Sequence, residues 1–208
     1  YLADYTGFAP NADQARIVLS PYQYNQLTGG AGSGKSRVGA WYLELRWLAA
    51  HRDKPGKPQL YWLVGQDYAE TEQEFAFIRD FFANLALLNT KATTRRVDPG
   101  RIVVLEGTIA KTFTAQAEEK IGRESPDGIL VCEAAKISYI AYLRLMERLS
   151  RSGGWLFMSG TIEQVEKPWY SKKHLEWQFG TPDGHKAWSL PTWTHTALYP
   201  GGRNDPKI

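Results

Sequence analysis

The chain is 208 residues long, with 43% hydrophobic and 13% aromatic content, enough to bury a sizeable core and to exclude an intrinsically disordered chain. Lys+Arg 25 against Asp+Glu 22 leaves a formal net charge of +3, which permits contact with nucleic acid without arguing for it. A lone cysteine, Cys132, excludes a disulfide framework and a zinc cluster and fits a reducing compartment; no apolar run approaches a membrane span, which points to a soluble protein.

Taken in chain order, Tyr1 to Ser20 mixes small and polar residues and reads as an entry arm. Tyr24-Asn25-Gln26-Leu27-Thr28 is β-prone and leads into a glycine cluster, Gly29 to Gly34. Helix formers dominate from Lys35 to Ala50, with Val38, Tyr42, Leu45 and Leu48 at helical spacing, until Pro55-Gly56-Lys57-Pro58 breaks the pattern. Gln59 to Gly65 is an apolar run of strand length, and a second helix carries Phe75, Ile78, Phe82, Leu85 and Leu88 on one stripe. Arg101 to Leu105 and Ala110 to Thr114 read as two strands joined at Glu106-Gly107-Thr108. Gly128 to Val131 is a short buried strand, and Ser138 can cap a helix running to about Leu149. Ser152-Gly153-Gly154 turns the chain into strand Trp155 to Ser159, followed by a helix near Pro168 to Phe179 and a strand near Lys186 to Leu190. Strands alternating with helices predict an α/β fold, a parallel sheet covered on both faces. The tail from Tyr199 to Ile208, rich in Pro, Gly and polar residues, reads as the start of a linker.

The segment Gly29-Gly30-Ala31-Gly32-Ser33-Gly34-Lys35-Ser36 satisfies G-x-x-x-x-G-K-[ST] between a predicted strand and a predicted helix. Glycines let successive backbone N–H groups turn inward toward phosphate oxygens, and the first turn of the following helix adds its dipole and unpaired donors. In such a loop Lys35 bridges the β- and γ-phosphates of a nucleotide, and the Ser36 hydroxyl binds Mg²⁺.

After strand Gly128 to Val131 come Cys132 and Glu133. A carboxylate pair usually ends this strand: the first member holds the Mg²⁺ shell and the second activates the attacking water. Glu133 fits the second role. Cys132 stands at the first, and a thiol, soft and protonated at its ordinary pKa, suits hard Mg²⁺ poorly. Either Ser36, phosphates and waters hold the ion alone, or Asp127 or another carboxylate substitutes, or the site is crippled. Strand Trp155 to Met158 delivers Ser159-Gly160-Thr161 to the same edge, where hydroxyls can sense the γ-phosphate. Arg123, nine residues before Cys132 on a polar loop, is a candidate to neutralise charge in the transition state.

Together GGAGSGKS, RIVVLEGTIAKTFTA, IGRESPDGILVCEAAKI and FMSGT resemble the ATPase domain of a tailed-phage large terminase, from about Tyr22 to Leu198. The resemblance implies a P-loop NTPase of the additional-strand, RecA-like kind, with extra sheet between the phosphate strand and the Glu133 strand. It implies ATP and Mg²⁺ as cofactors, a homo-oligomeric ring on a portal protein, double-stranded DNA in the channel, a small terminase subunit as partner, and action in the host cell cytoplasm. By the same resemblance Arg123 reaches a neighbouring subunit's ATP, Glu133-Ala134-Ala135 and Ser159-Gly160-Thr161 are family motifs, and a glutamine before the loop contacts adenine, with Gln23 preferred over Gln26. Two departures stand out: Ala31 where many relatives carry a basic residue, and Cys132 where an aspartate is expected. The implied organisation is an arm over 1–20, an ATPase domain over 21–198, and from 199 to 208 a linker toward a nuclease domain that this chain does not include. No Asp/Glu constellation for nuclease chemistry is evident. Arg95, Arg96, Arg101, Lys111, Lys172, Lys173 and Lys186 are basic but scattered among acids, so any DNA contact is expected to be electrostatic and sequence-blind.

Overall fold

The structure, a computed structural model, describes residues 9–116, 124–162, 168–195 and 198–207. The helices are α1 (Ala12–Val18), α2 (Lys35–Asp53), α3 (Glu72–Asn84), α4 (Tyr139–Ser152) and α5 (Pro168–Trp177). The strands are β1 (Tyr24–Gly29), β2 (Leu60–Gly65), β3 (Arg101–Val103), β4 (Ile109–Thr114), β5 (Gly128–Val131), β6 (Trp155–Gly160) and β7 (His185–Leu190). The seven strands form one sheet in the order β3-β4-β2-β5-β6-β1-β7. Every adjacent pair is parallel except the β3–β4 hairpin at one edge.

Burial on both sides of the central strands follows from their unbroken apolar character, since alternate side chains leave opposite faces of a pleated strand. Tyr61, Leu63, Leu130 and Phe157 enter one core with Val38, Tyr42 and Trp47 of α2 and Phe75, Ile78 and Phe82 of α3. Their strand neighbours Trp62, Val64, Ile129, Val131, Leu156 and Met158 enter the other, under Tyr142, Leu145 and Leu149 of α4 and Tyr170 and Trp177 of α5. Each fully buried side chain of this size contributes about 1.5–3 kcal/mol. The α/β fold with helices on both faces is as expected, and β6 lies between β1 and β5, so the sheet is of the additional-strand, RecA-like kind.

Several boundaries differ from the sequence reading for local reasons. The entry arm contains α1, started by a reciprocal cap in which the Gln14 amide N–H donates to Asn11 Oδ1 at 2.9 Å and the Asn11 N–H donates to Gln14 Oε1 at 3.0 Å. The second predicted helix ends at Asn84, and Leu88 instead bridges to Val104. Ser138 does cap α4, accepting from Ala141 N at 2.9 Å, and Gly153 closes that helix in the left-handed conformation.

Candidate functional site

Parallel strands deliver their carboxyl ends to one edge of the sheet, and there β1, β5 and β6 bring the candidate residues together. The loop after β1 turns through Gly32 at φ 71° and Gly34 at φ 90°, conformations that a side chain disfavours. Gly34 is the N-cap of α2, and no side chain caps that helix or places an acid in its first turn. The first-turn amides therefore remain open to an anion. Lys35 is 8% exposed; its Nζ donates to the Gly30 carbonyl at 3.1 Å and lies 4.0 Å from Glu133 Oε1. Ser33 Oγ is buried without a hydrogen-bond partner. An orphaned hydroxyl, open amides and a lysine curled over its own loop form a cradle with the chemistry of a phosphate site.

Glu133 follows β5 in the left-handed region at φ 48°, ψ 49°, an uncommon conformation for a residue with a side chain and one that clusters at functional sites. Its backbone carbonyl accepts from Lys136 N at 2.9 Å, starting a short 3₁₀ turn over Ala134–Lys136. The kink aims a 30%-exposed carboxylate at Lys35.

Cys132 is fully buried, and burial, with Glu74 next in effect, pushes its thiol well up. A neutral soft thiol does not fit a hard cation. Asp127 does not substitute for it: it precedes β5, and its Oδ2 accepts from Leu60 N at 2.8 Å at the opposite end of the strands. Among the described residues no group of three or more His, Cys, Asp and Glu is placed to hold a metal by itself. The oxygen donors that do fit Mg²⁺ are the Ser36 hydroxyl and, facing it from α3, the carboxyl of Glu74. Glu74 is 2% exposed, and burial raises its carboxyl to about 7, with its own backbone amide, Ser36 and Cys132 pulling the other way. The sequence reading did not single it out.

Ser159-Gly160-Thr161 sits between the two halves of the site. Thr161 Oγ1 donates to the carbonyl of Gly29, the first loop glycine, at 3.1 Å, and Ser159 Oγ approaches the Val131 carbonyl at 3.5 Å. A Cβ on Gly160 would meet Ala135 N and the Tyr170 hydroxyl, so the strand end is tightly enclosed.

Gln23 is the clearest departure from expectation. It precedes β1, at the far end from the loop, where its Nε2 donates to the carbonyls of Gly153 and Gly154 at 2.9 and 2.8 Å. A six-residue strand spans about 20 Å, which separates it from the phosphate cradle. Gln26 is buried in β1, donating to the Tyr170 carbonyl at 2.8 Å. The glutamine beside the loop is Gln14 of α1: its Nε2 lies 2.9 Å from where a Gly34 Cβ would stand. The Asn11-x-x-Gln14 capping pattern is the signal that marks its helix. Residues past β7 also reach the loop. Thr192 Oγ1 donates to the Ala31 carbonyl at 3.2 Å, the Tyr199 hydroxyl borders Gly32, and the His195 ring borders Gly34. Tyr199, read as linker, thus packs on the cradle.

Arg123 lies outside the described residues, as does the rest of 117–123. The scattered basic residues occupy both edges of the sheet, Arg101 and Lys111 on β3–β4 and Lys172, Lys173 and Lys186 on α5–β7. Lys111 pairs with Glu124 at 2.7 Å and Lys173 with Glu176 at 2.8 Å. Among the described residues no helix is long and apolar enough to cross a membrane.

No protein-family model matches this chain, and no curated protein matches its sequence. Solved structures do match its fold. The large terminase ATPase domain of Thermus phage P74-26 superposes with a TM-score of 0.71 at 16% identity, covering 94% of this chain and 88% of that one. The large terminase of a second thermophilic bacteriophage, in complex with ADP, gives 0.64 at 13% identity over 90% of this chain and 46% of that one. The bacteriophage HK97 large terminase gives 0.55 at 10% identity over 74% and 33%. The chain thus spans about half the length of the ADP-bound protein. It shares the fold of phage large terminase ATPase domains, and the large terminase of the second thermophilic bacteriophage was also solved in complex with ATP-gamma-S.

Proposed function

We propose that this chain is the ATP-hydrolysing motor domain of a viral large terminase, driving double-stranded DNA into a procapsid. The observation that carries the reading is the meeting of Lys35 and Glu133, 4.0 Å apart across the phosphate cradle, each just beyond a strand that flanks β6. The open amides of the loop and Lys35 take the β- and γ-phosphates, and Ser33 supplies a further donor. Gln14, beside Gly34, is the candidate for the adenine edge. Mg²⁺ would be held at Ser36 and would neutralise charge on the phosphate oxygens. Glu133 orients and deprotonates the attacking water, work that is mostly positioning and electrostatics. Loss of the γ-phosphate is felt at Gly29, whose carbonyl is held by Thr161, and passes into β6.

In the assembled motor this domain belongs to a homo-oligomeric ring on a portal, with a small terminase subunit, a nuclease domain and duplex DNA as partners, and Arg123 acting on a neighbour's ATP. The fold shared with terminase ATPase domains supports that assignment. A second reading, a nucleotide-ordered assembly module with lost hydrolysis, is favoured by the buried neutral Cys132 alone. Steady-state ATP hydrolysis against protein concentration, with and without duplex DNA, separates the two. The motor reading expects specific activity that climbs as subunits associate and rises further with DNA; nucleotide binding without turnover at any concentration overturns it.

A further inference from the structure

We infer that Glu74, on the first turn of α3, takes the Mg²⁺-holding position that Cys132 leaves empty of charge at the end of β5. The inference rests on nucleotide binding by the loop proposed above and adds to it the residue that completes the cation's protein shell.

Three observations converge on Glu74. First, it is 2% exposed, its carboxyl meets the Ser36 hydroxyl and the Cys132 thiol, and among the described residues no lysine, arginine or histidine pairs with it. A carboxylate so deeply buried is costly without a counter-charge. A divalent ion beside Ser36 is the counter-charge it lacks. Second, the neighbouring carboxylates are committed elsewhere. Glu133 faces Lys35 at 4.0 Å, Glu70 pairs with Lys136 at 2.6 Å, Asp67 Oδ1 accepts from Glu70 N at 3.3 Å, and Asp127 is bonded at the far end of β5. Third, the exchange is chemically balanced. An aspartate at 132 would set two buried carboxylates side by side, whereas a neutral thiol at 132 leaves room for one and can donate its S–H to it. Helix α3 packs against α2, the helix whose first turn carries Ser36, so the carboxyl arrives from the helical layer rather than from the strand end.

The test measures metal-coupled binding rather than turnover. A fluorescent ADP analogue is titrated into the whole chain in EDTA and in Mg²⁺, and Mn²⁺ binding to the protein–ADP mixture is followed by electron paramagnetic resonance. For the native protein Mg²⁺ is expected to tighten ADP by roughly tenfold or more. Glu74→Gln keeps the EDTA affinity within about threefold, loses most of the Mg²⁺ gain and loses protein-bound Mn²⁺. Glu74→Gln combined with Cys132→Asp regains most of both, because the carboxylate returns at the strand end. Retention of the full Mg²⁺ gain and bound Mn²⁺ by Glu74→Gln overturns the inference, leaving Ser36 and phosphates as sufficient. If Glu74→Gln loses EDTA binding through misfolding, Glu74→Asp decides: a carboxylate one methylene short weakens the gain, and an unchanged gain overturns it. Failure of the native chain to bind ADP even in EDTA is a different result; it removes the phosphate-site reading itself, and the inference falls with it.

Discussion

Replacing Glu133 with Gln keeps the shape of the side chain and removes its charge, and two effects of opposite sign follow. Two unit charges 4 Å apart attract by about 4 kcal/mol at an effective dielectric constant near 20, and Lys35 and Glu133 stand at that distance. Because Glu133 is 30% exposed, solvent screening reduces the attraction to about 1 kcal/mol. Neutralising Glu133 releases Lys35 for phosphate, so ATP is expected to bind about fivefold tighter. Loss of the base lowers single-turnover hydrolysis by about 10²–10⁴-fold, which is about 3–5 kcal/mol in the barrier. Glu133→Gly is the companion variant. It also relieves the left-handed backbone at φ 48°, so it is expected to be about 1 kcal/mol more stable than Glu133→Gln with the same loss of hydrolysis. Binding by fluorescence and hydrolysis by quench-flow read the two effects separately. Hydrolysis by Glu133→Gln within threefold of native refutes the base assignment, and weaker ATP binding refutes the competition for Lys35.

Glu44, buried with only Arg37 at 3.4 Å beside it, is pushed by burial to about 8 from 4.5. Its folded pKa lies above its unfolded one, so its contribution to stability is full below pH 4.5 and is lost as pH rises through about 8. Unfolding free energies from urea titrations are therefore expected to fall between pH 5.5 and pH 8.5 by at most about 3 kcal/mol from this group, and Glu44→Gln should flatten much of that slope. Glu74, raised to about 7, contributes a smaller slope of the same sign. Thr161→Val removes the bond to the Gly29 carbonyl; a loss of about 1 kcal/mol and a melting drop of about 2–4 °C are expected by calorimetry. Gln14→Ala should lower ATP affinity by about tenfold and narrow its preference over GTP in competition binding, whereas Gln23→Ala should leave both unchanged. The reverse result would return the adenine contact to Gln23.

The phosphate cradle was legible because its chemistry is local. Eight consecutive residues carry the glycines, the lysine and the serine, and the strand and helix around them are signalled by apolar runs of two different periods. Glu133 was legible for a related reason, since it directly follows an apolar strand whose carboxyl end must face the same edge. Gln23 stands apart from the loop because nearness in sequence is not nearness in space; it precedes β1, at the opposite end of that strand. Gln14, farther away in sequence, returns to the loop because α1 packs against α2 and β7. Glu74 was hidden by its type: an acid in the first turn of a helix normally reads as a solvated dipole partner. Its position held the contrary signal, since 74 lies beside Phe75 and four residues before Ile78, inside the apolar stripe rather than opposite it.

The position of β6 decides how the loop strand and the Glu133 strand are joined. A strand inserted between β1 and β5 prevents them from pairing directly, and each is joined to β6 by its own parallel ladder. The side-chain links added to the two ladders are unequal. Thr161 holds the Gly29 carbonyl at 3.1 Å, a bond of ordinary strength, whereas Ser159 reaches the Val131 carbonyl only at 3.5 Å. Beyond Gly160 the strand end meets the Tyr170 hydroxyl, which itself donates to the Leu27 carbonyl of β1 at 2.9 Å. The loop strand, β6 and α5 thus form one bonded unit, and Glu133 stands beyond it at the end of β5, where on the proposed reading it faces the phosphate that the loop holds.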